Sequence, residues 1–150
     1  MDEVTAKRNV NNQEHDFMEI KKEDKEYIRF KLAQARDAYE EAQGLFVDGA
    51  DLGYVLNNLY YAFYYPVLAL LHSRNIPAAM QSASIALFDR EFVETGLFEK
   101  RFYDALRRAF DLKPKCSPGE LKMITRAEIE ILLTEAREFL DIVGRKTGMA

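Results

Sequence analysis

The chain has 150 residues, of which 48% are hydrophobic and 31% are charged, and its formal net charge is −4 at pH 7. These values are ordinary for one globular domain, and the negative charge argues against a protein that binds nucleic acid or anionic membranes over its whole surface. The one cysteine, Cys116, excludes an internal disulfide and a metal site made of cysteines alone, which fits a reducing compartment.

The sequence divides into a polar N-terminal stretch and one predicted domain. Residues 1–20 are polar and without period, so we expect a disordered or fraying tail, and no apolar segment typical of a secretory signal is visible in it. We expect residues 21–150 to form one helical domain. The most apolar run, residues 59–71, is far shorter than the ~18 residues that a membrane span needs, so we expect a cytoplasmic protein without membrane contact.

Two long helices are predicted first. From Glu23 to Val47, apolar residues recur in steps of four and three, which places them on one face of a helix. Gly49 suits the left-handed end of this helix, and Asp51 is a capping residue for the next one. The second helix, from Leu52 to about residue 74, is apolar nearly all round, so we expect it at the centre of the fold with a kink at Pro66.

Three further helices follow, at about residues 84–95, 98–112 and 126–143. Gly96 ends the first of them, and a loop rich in proline separates the other two. Thr125 and Glu128 form a predicted capping box before the last helix. Because no stretch alternates with period two, the sequence predicts an all-α, up-and-down bundle of about five helices.

Three segments of the chain together resemble the bacterial and archaeal branch of the HEPN family. Residues 57–65 read N-N-L-Y-Y-A-F-Y-Y and are followed by A-L-L at 69–71, where the family has roughly N-R-x-Y-Y-A-x-F-H and A-L-L. Residues 86–96 read A-L-F-D-R-E-F-V-E-T-G, where the family often has A-L-F-x-x-x-F-V-x-T-G. The last helix has the alanine and F-L of the family at Ala136, Phe139 and Leu140. The resemblance covers about residues 22–145 and implies a HEPN-like bundle.

The resemblance also implies a chemistry that this sequence lacks. The resemblance implies that catalytic members of this family are metal-independent ribonucleases. In them, an arginine and a histidine of one subunit meet the same two residues of the other subunit across a dimer interface. Histidine suits proton transfer near neutral pH, and arginine suits charge stabilisation at phosphate. Here the arginine position holds Asn58 and the histidine position holds Tyr65, and a tyrosine with an ordinary pKa of about 10 is a poor base at pH 7. Members of the family also often have a histidine before the third helix. The corresponding position here is near Gln81, and no histidine is present there.

We therefore interpret the chain as a non-catalytic HEPN-type domain that acts as a dimeric interaction module. The resemblance implies a homodimer and a partner of the nucleotidyltransferase type, in a toxin–antitoxin-like pair. Two alternatives stay open at this point: a metal-independent ribonuclease with a remodelled site, and a module that binds a nucleotide or another small molecule. RNA or a nucleotide is accordingly the candidate ligand, and no cofactor is expected.

Candidate binding residues come from two groups. The tyrosines of the second helix either stack on bases or serve as core and dimer contacts. The segment 97–126 has eight basic and four acidic residues, and its basic side chains either contact phosphate or form a solvated face. The candidates are Tyr61, Tyr64, Tyr65, Arg107, Arg108 and Lys113.

A metal site is not expected from the two histidines. His72, near the end of the second helix, is expected to interact with the helix dipole, and His15 is expected to be solvated. Neither has acidic or cysteine neighbours at a spacing typical of metal ligands. Cys116 lies beside Lys115, but no base is near it in the sequence to make its thiol reactive.

Overall fold

Helices account for most of the residues that the computed structural model describes, which are 20–78, 80–113 and 124–149. No strand occurs within these ranges, so the predicted all-α bundle is confirmed. The expected tail lies outside the described residues except for Ile20, which is buried. In the part of the chain that the structure describes, the five α-helices are α1 (Lys22–Val47), α2 (Leu52–Ser73), α3 (Gln81–Phe88), α4 (Lys100–Leu112) and α5 (Arg126–Lys146).

The predicted connection between α1 and α2 is confirmed in detail. Gly49 adopts a φ of +75°, a left-handed conformation that glycine reaches without a steric cost. The side chain of Asp51 accepts a hydrogen bond of 2.9 Å from the backbone N–H of Gly53, which satisfies one of the donors that the start of a helix leaves open. Both ends of the turn are therefore fixed by local contacts.

α2 is the central helix of the bundle. It contacts α1, α3, α4 and α5, and most of its side chains are buried. Pro66 is itself buried, and the helix continues through it to Ser73 rather than ending there. The apolar character all round α2 therefore reflects neighbours on several sides, as the sequence predicted.

The third and fourth helices differ from the predicted bounds. α3 begins at Gln81 rather than Ser84 and continues as a π-helical segment, Asp89–Val93. A π turn inserts an extra residue and re-phases the helix, and here it leaves Phe92 buried with its ring 6.1 Å from that of Phe88. α4 begins two residues later than predicted, so the buried Phe98 precedes it and belongs to the connection.

The start of α5 shows half of the predicted capping box. The hydroxyl of Thr125 accepts a hydrogen bond of 3.1 Å from the N–H of Glu128. The Glu128 carboxylate, however, accepts a hydrogen bond from Arg108 of α4 at 2.8 Å, so it ties two helices together. α5 also extends three residues beyond the predicted Val143, and the buried Thr147 donates its hydroxyl hydrogen to the carbonyl of that residue at 2.7 Å.

An aromatic cluster joins four parts of the bundle at Phe139. This side chain of α5 is 1% exposed, and its ring centroid lies within 6.0 Å of four other phenylalanine rings. Their edge-to-face and tilted arrangements are those that aromatic pairs favour. The four partners, from α2, α3, the connection and α4, are Phe63, Phe88, Phe98 and Phe102.

Candidate functional site

The least buried side of α2 carries Tyr54, Asn58, Tyr61 and Tyr65, which we call the outer stripe. The steps between them are four, three and four residues, so they share one face of the helix. Tyr54 is 52% exposed, and the other three are partly exposed. Asn58 and Tyr65, which the sequence resemblance singled out, thus lie on one face, as their seven-residue spacing predicted.

Asn58 is engaged within its own helix. Its side-chain amide nitrogen donates a hydrogen bond of 3.0 Å to the backbone carbonyl of Tyr54, four residues earlier. A carboxamide is neutral and does not ionise near neutral pH, so it does not reproduce the charge of an arginine at phosphate. This bond lies within the first turns of α2.

Tyr65 lies between another tyrosine and a lysine of α1. Its ring stacks on that of Tyr61 with the centroids 5.3 Å apart. The ammonium nitrogen of Lys31 lies 5.2 Å from the centroid of the Tyr65 ring, a distance at which a cation is attracted to the ring face. Tyr65 is therefore an aromatic ring beside a cation.

Lys113 occupies the other end of the same tyrosine pair. Its ammonium donates a hydrogen bond of 3.1 Å to the hydroxyl oxygen of Tyr61, and it lies 4.7 Å from the centroid of that ring. It also lies 4.9 Å from the centroid of the Tyr60 ring. The structure thus brings together three predicted site residues, Tyr61, Tyr65 and Lys113, and adds Lys31, which sequence reasoning missed.

The other two tyrosines of the cluster belong to the core. Tyr60 and Tyr64 are buried and stack on each other with the ring centroids 5.4 Å apart. The hydroxyl of Tyr60 donates a hydrogen bond of 2.7 Å to the side-chain oxygen of Gln81. Burial raises the pKa of the Tyr60 hydroxyl well above its usual value, and the neighbouring hydroxyls of Tyr64 and Tyr61 raise it further. Of these tyrosines, Tyr64 was also a predicted binding residue, and its burial favours the core interpretation.

The two predicted arginines of α4 are both paired with carboxylates. Arg107 lies 3.2 Å from a carboxylate oxygen of Asp111, one turn later in the same helix. Arg108 makes two hydrogen bonds to Glu128, of 2.8 and 3.2 Å, in the bidentate geometry that guanidinium and carboxylate favour. Asp111 already counts among the acidic residues of the segment 97–126, whereas Glu128 brings one negative charge from outside it.

His72 continues the side of α2 that bears the outer stripe, seven residues after Tyr65. Its Nε2 lies 2.7 Å from a carboxylate oxygen of Asp24, and its ring is tilted against that of Tyr27 with the centroids 4.1 Å apart. His72 therefore lies near the end of α2, as predicted, and also connects that end to the start of α1. His15 and Cys116 lie outside the described residues.

Within the ranges that the structure describes, no three side chains of histidine, cysteine, aspartate or glutamate are grouped so that they could hold a metal ion. In the same ranges, none of the helices has the length and apolar character required to cross a membrane. The outer stripe itself provides phenol groups and one amide, and Lys31 and Lys113 add two ammonium groups beside it.

Comparisons with known proteins place the chain near two others. No protein-family model matches it. A UPF0332 protein of Thermotoga maritima is 29% identical over 123 residues, which are 82% of this chain and 92% of that protein. A protein of Methanocaldococcus jannaschii named "Putative toxin" is 22% identical over 110 residues, 73% of this chain and 74% of that protein. The chain is thus similar, over most of its length, to a UPF0332 protein and to a protein whose name suggests a toxin.

Proposed function

We propose that the chain is a HEPN-type domain without ribonuclease chemistry, which forms a homodimer and pairs with a nucleotidyltransferase-type protein in a toxin–antitoxin-like system. The observation that carries the proposal is the state of the two family positions on α2. The side chain of Asn58 is hydrogen-bonded to a carbonyl of its own helix, and the Tyr65 ring stacks on Tyr61 with the Lys31 ammonium nearby. The similarity to a protein named as a toxin supports the biological setting.

The absence of ribonuclease chemistry is tested with the purified chain and end-labelled RNA in the presence of EDTA. We expect no cleavage above the background of the RNA alone, because neither family position holds a group that transfers protons near neutral pH. Cleavage that persists through purification and is abolished by Asn58→Ala or Tyr65→Phe would overturn this part of the proposal. Lys22→Ala, at the exposed start of α1, is the matched control.

The outer stripe is the surface that we assign to the homodimer. Tyrosine is enriched at interfaces because it joins an apolar ring to a polar tip, and a two-fold interface uses one patch twice. We expect the wild-type chain to sediment as a dimer at micromolar concentration. Tyr54→Glu places two charges in that interface and should weaken dimerisation at least about tenfold.

Sedimentation of Ile131→Glu provides the control for the dimer. Ile131 is 58% exposed and belongs to α5 rather than to the outer stripe of α2, so its replacement should leave the sedimentation coefficient unchanged. A wild-type chain that is only monomeric, or two variants that behave alike, would count against the assignment. For the second partner, we expect a neighbouring reading frame that encodes a nucleotidyltransferase-type protein, whose product co-elutes with the chain.

A second candidate function, RNA binding at a remodelled site, is favoured by the two lysines at the outer stripe. Lys31 and Lys113 flank Tyr65 and Tyr61, and partly exposed aromatic rings next to cations are typical of surfaces that bind single-stranded nucleic acid. This candidate is tested by measuring the binding of the RNA used in the cleavage assay, with a fluorescent end label, by fluorescence anisotropy. Binding that weakens in Lys31→Ala would favour it, and binding unaffected by that change would exclude this surface.

A further inference from the structure

A cleft between α1 and α5 lies outside everything described so far. It has a volume of about 440 Å³, within the range of small-ligand sites, and it is lined by Arg36, Leu140, Asp141, Gly144 and Arg145. Leu140 and Gly144 are buried and form its floor, whereas the three charged residues are exposed at its rim.

The register of the two helices brings the charged residues of the cleft together. Arg126, at the start of α5, donates a hydrogen bond of 3.2 Å to the carbonyl of Phe46, at the end of α1. The two helices therefore run in opposite directions, and Arg36, about three turns before Phe46, falls beside the second half of α5. Residues that are far apart in the sequence thus converge on one opening.

The two arginines of the cleft differ from those of α4. Arg101, Arg107 and Arg108 each form an ion pair with a carboxylate. Within the described part of the chain, the side chains of Arg36 and Arg145 form neither an ion pair nor a hydrogen bond. Two guanidinium groups from different helices therefore have donors available for the same ligand, and their planar geometry suits an oxoanion.

Asp141 restricts which oxoanion the cleft would accept. Its carboxylate opposes a plain anion, and so do the carbonyl dipoles in the last turn of α5. A ligand that carries a donor group close to its anionic group would turn this opposition into a hydrogen bond. The arrangement is therefore selective for a bipolar ligand.

We propose that this cleft binds a small molecule in which a phosphate or carboxylate group lies a few bonds from an ammonium or hydroxyl group. Arg36 and Arg145 hold the oxoanion, Asp141 accepts a hydrogen bond from the donor group, and Leu140 and Gly144 provide the floor. This site is independent of the outer stripe and of the proposed function.

The test is a titration of the isotope-labelled full chain, followed by the amide NMR signals of residues 140–145. O-phosphoethanolamine should give saturable shifts there, with inorganic phosphate binding about tenfold more weakly because it cannot satisfy Asp141. Glycine, in a parallel titration, distinguishes a carboxylate source from a phosphate source, and saturable binding of either bipolar ligand supports the site.

The variants decide whether the named residues are responsible. Arg36→Gln and Arg145→Gln should each weaken the tighter bipolar ligand about tenfold, Asp141→Asn should abolish its advantage over the plain anion, and Arg90→Gln is the control for general charge. Arg36→Lys, which keeps the charge but loses the planar fork, gives a milder variant should either glutamine variant fail to fold. Shifts that do not saturate at about 10 mM of either bipolar ligand, or that are equal in all variants, would overturn the proposal.

Discussion

Replacing Phe139 with alanine is expected to lower the free energy of unfolding by about 3–5 kcal/mol, measured by urea denaturation. The side chain is 1% exposed and its ring contacts four phenylalanines, so its removal leaves a cavity that several helices border. Because the whole domain is stabilised by only about 5–15 kcal/mol, this one change should remove a large share of the stability.

The control for this experiment is Ile131→Ala on the same helix. Ile131 is 58% exposed, so its truncation should change the free energy of unfolding by no more than about 0.5 kcal/mol. If Phe139→Ala and Ile131→Ala destabilised the chain equally, the aromatic cluster would not be the centre of the core.

The second large effect is a loss of stability at alkaline pH that depends on Tyr60. Burial raises the pKa of its hydroxyl, with smaller contributions from Tyr64 and Tyr61, so the folded chain keeps the proton when the unfolded chain has lost it. The contribution of Tyr60 to the free energy of unfolding is fully present below the pKa of about 10 that a tyrosine has in the unfolded chain. It is lost as the pH rises towards the pKa of Tyr60 in the folded chain. Each pH unit in that window should cost about 1.4 kcal/mol.

Tyr60→Phe isolates this effect. The variant loses the hydrogen bond to Gln81, which should cost about 1 kcal/mol at pH 7, but it has no hydroxyl to ionise at high pH. Urea denaturation of both proteins at pH 8 to 11, about the range in which tyrosine begins to ionise, should therefore show the difference shrinking and then reversing. A constant difference across this range would show that Tyr60 does not control the alkaline stability.

The bounds of α1 and α2 were predictable because they depend on local chemistry. Gly49 and Asp51 act within a few residues of their own positions, so the sequence contains all the information needed to place the turn. The π-helical segment Asp89–Val93 was not predictable in the same way. It leaves Phe92 buried against Phe88 and Phe98, and a spacing of four residues between Phe88 and Phe92 fits an ordinary α-helix equally well.

The candidate site shows the same division. The seven-residue spacing placed Asn58 and Tyr65 on one face, whereas the hydrogen bond from Lys113 to Tyr61 spans 52 positions and follows only from the packing of α4 on α2. Lys31 was missed because the sequence of neither helix alone determines how α1 and α2 are aligned against each other. A signal did exist, since Tyr27 and Lys31 are one turn apart beside the apolar face of α1.

The short turn between α1 and α2 has a consequence for how the protein is made. These two long helices are joined by only residues 48–51, and Asp24 and His72 connect their far ends. Pairing of neighbours in sequence closes small loops and is fast. During translation the two helices can thus associate before α5 leaves the ribosome, and the apolar sides of α2 that α4 and α5 later cover stay exposed until those helices have been made.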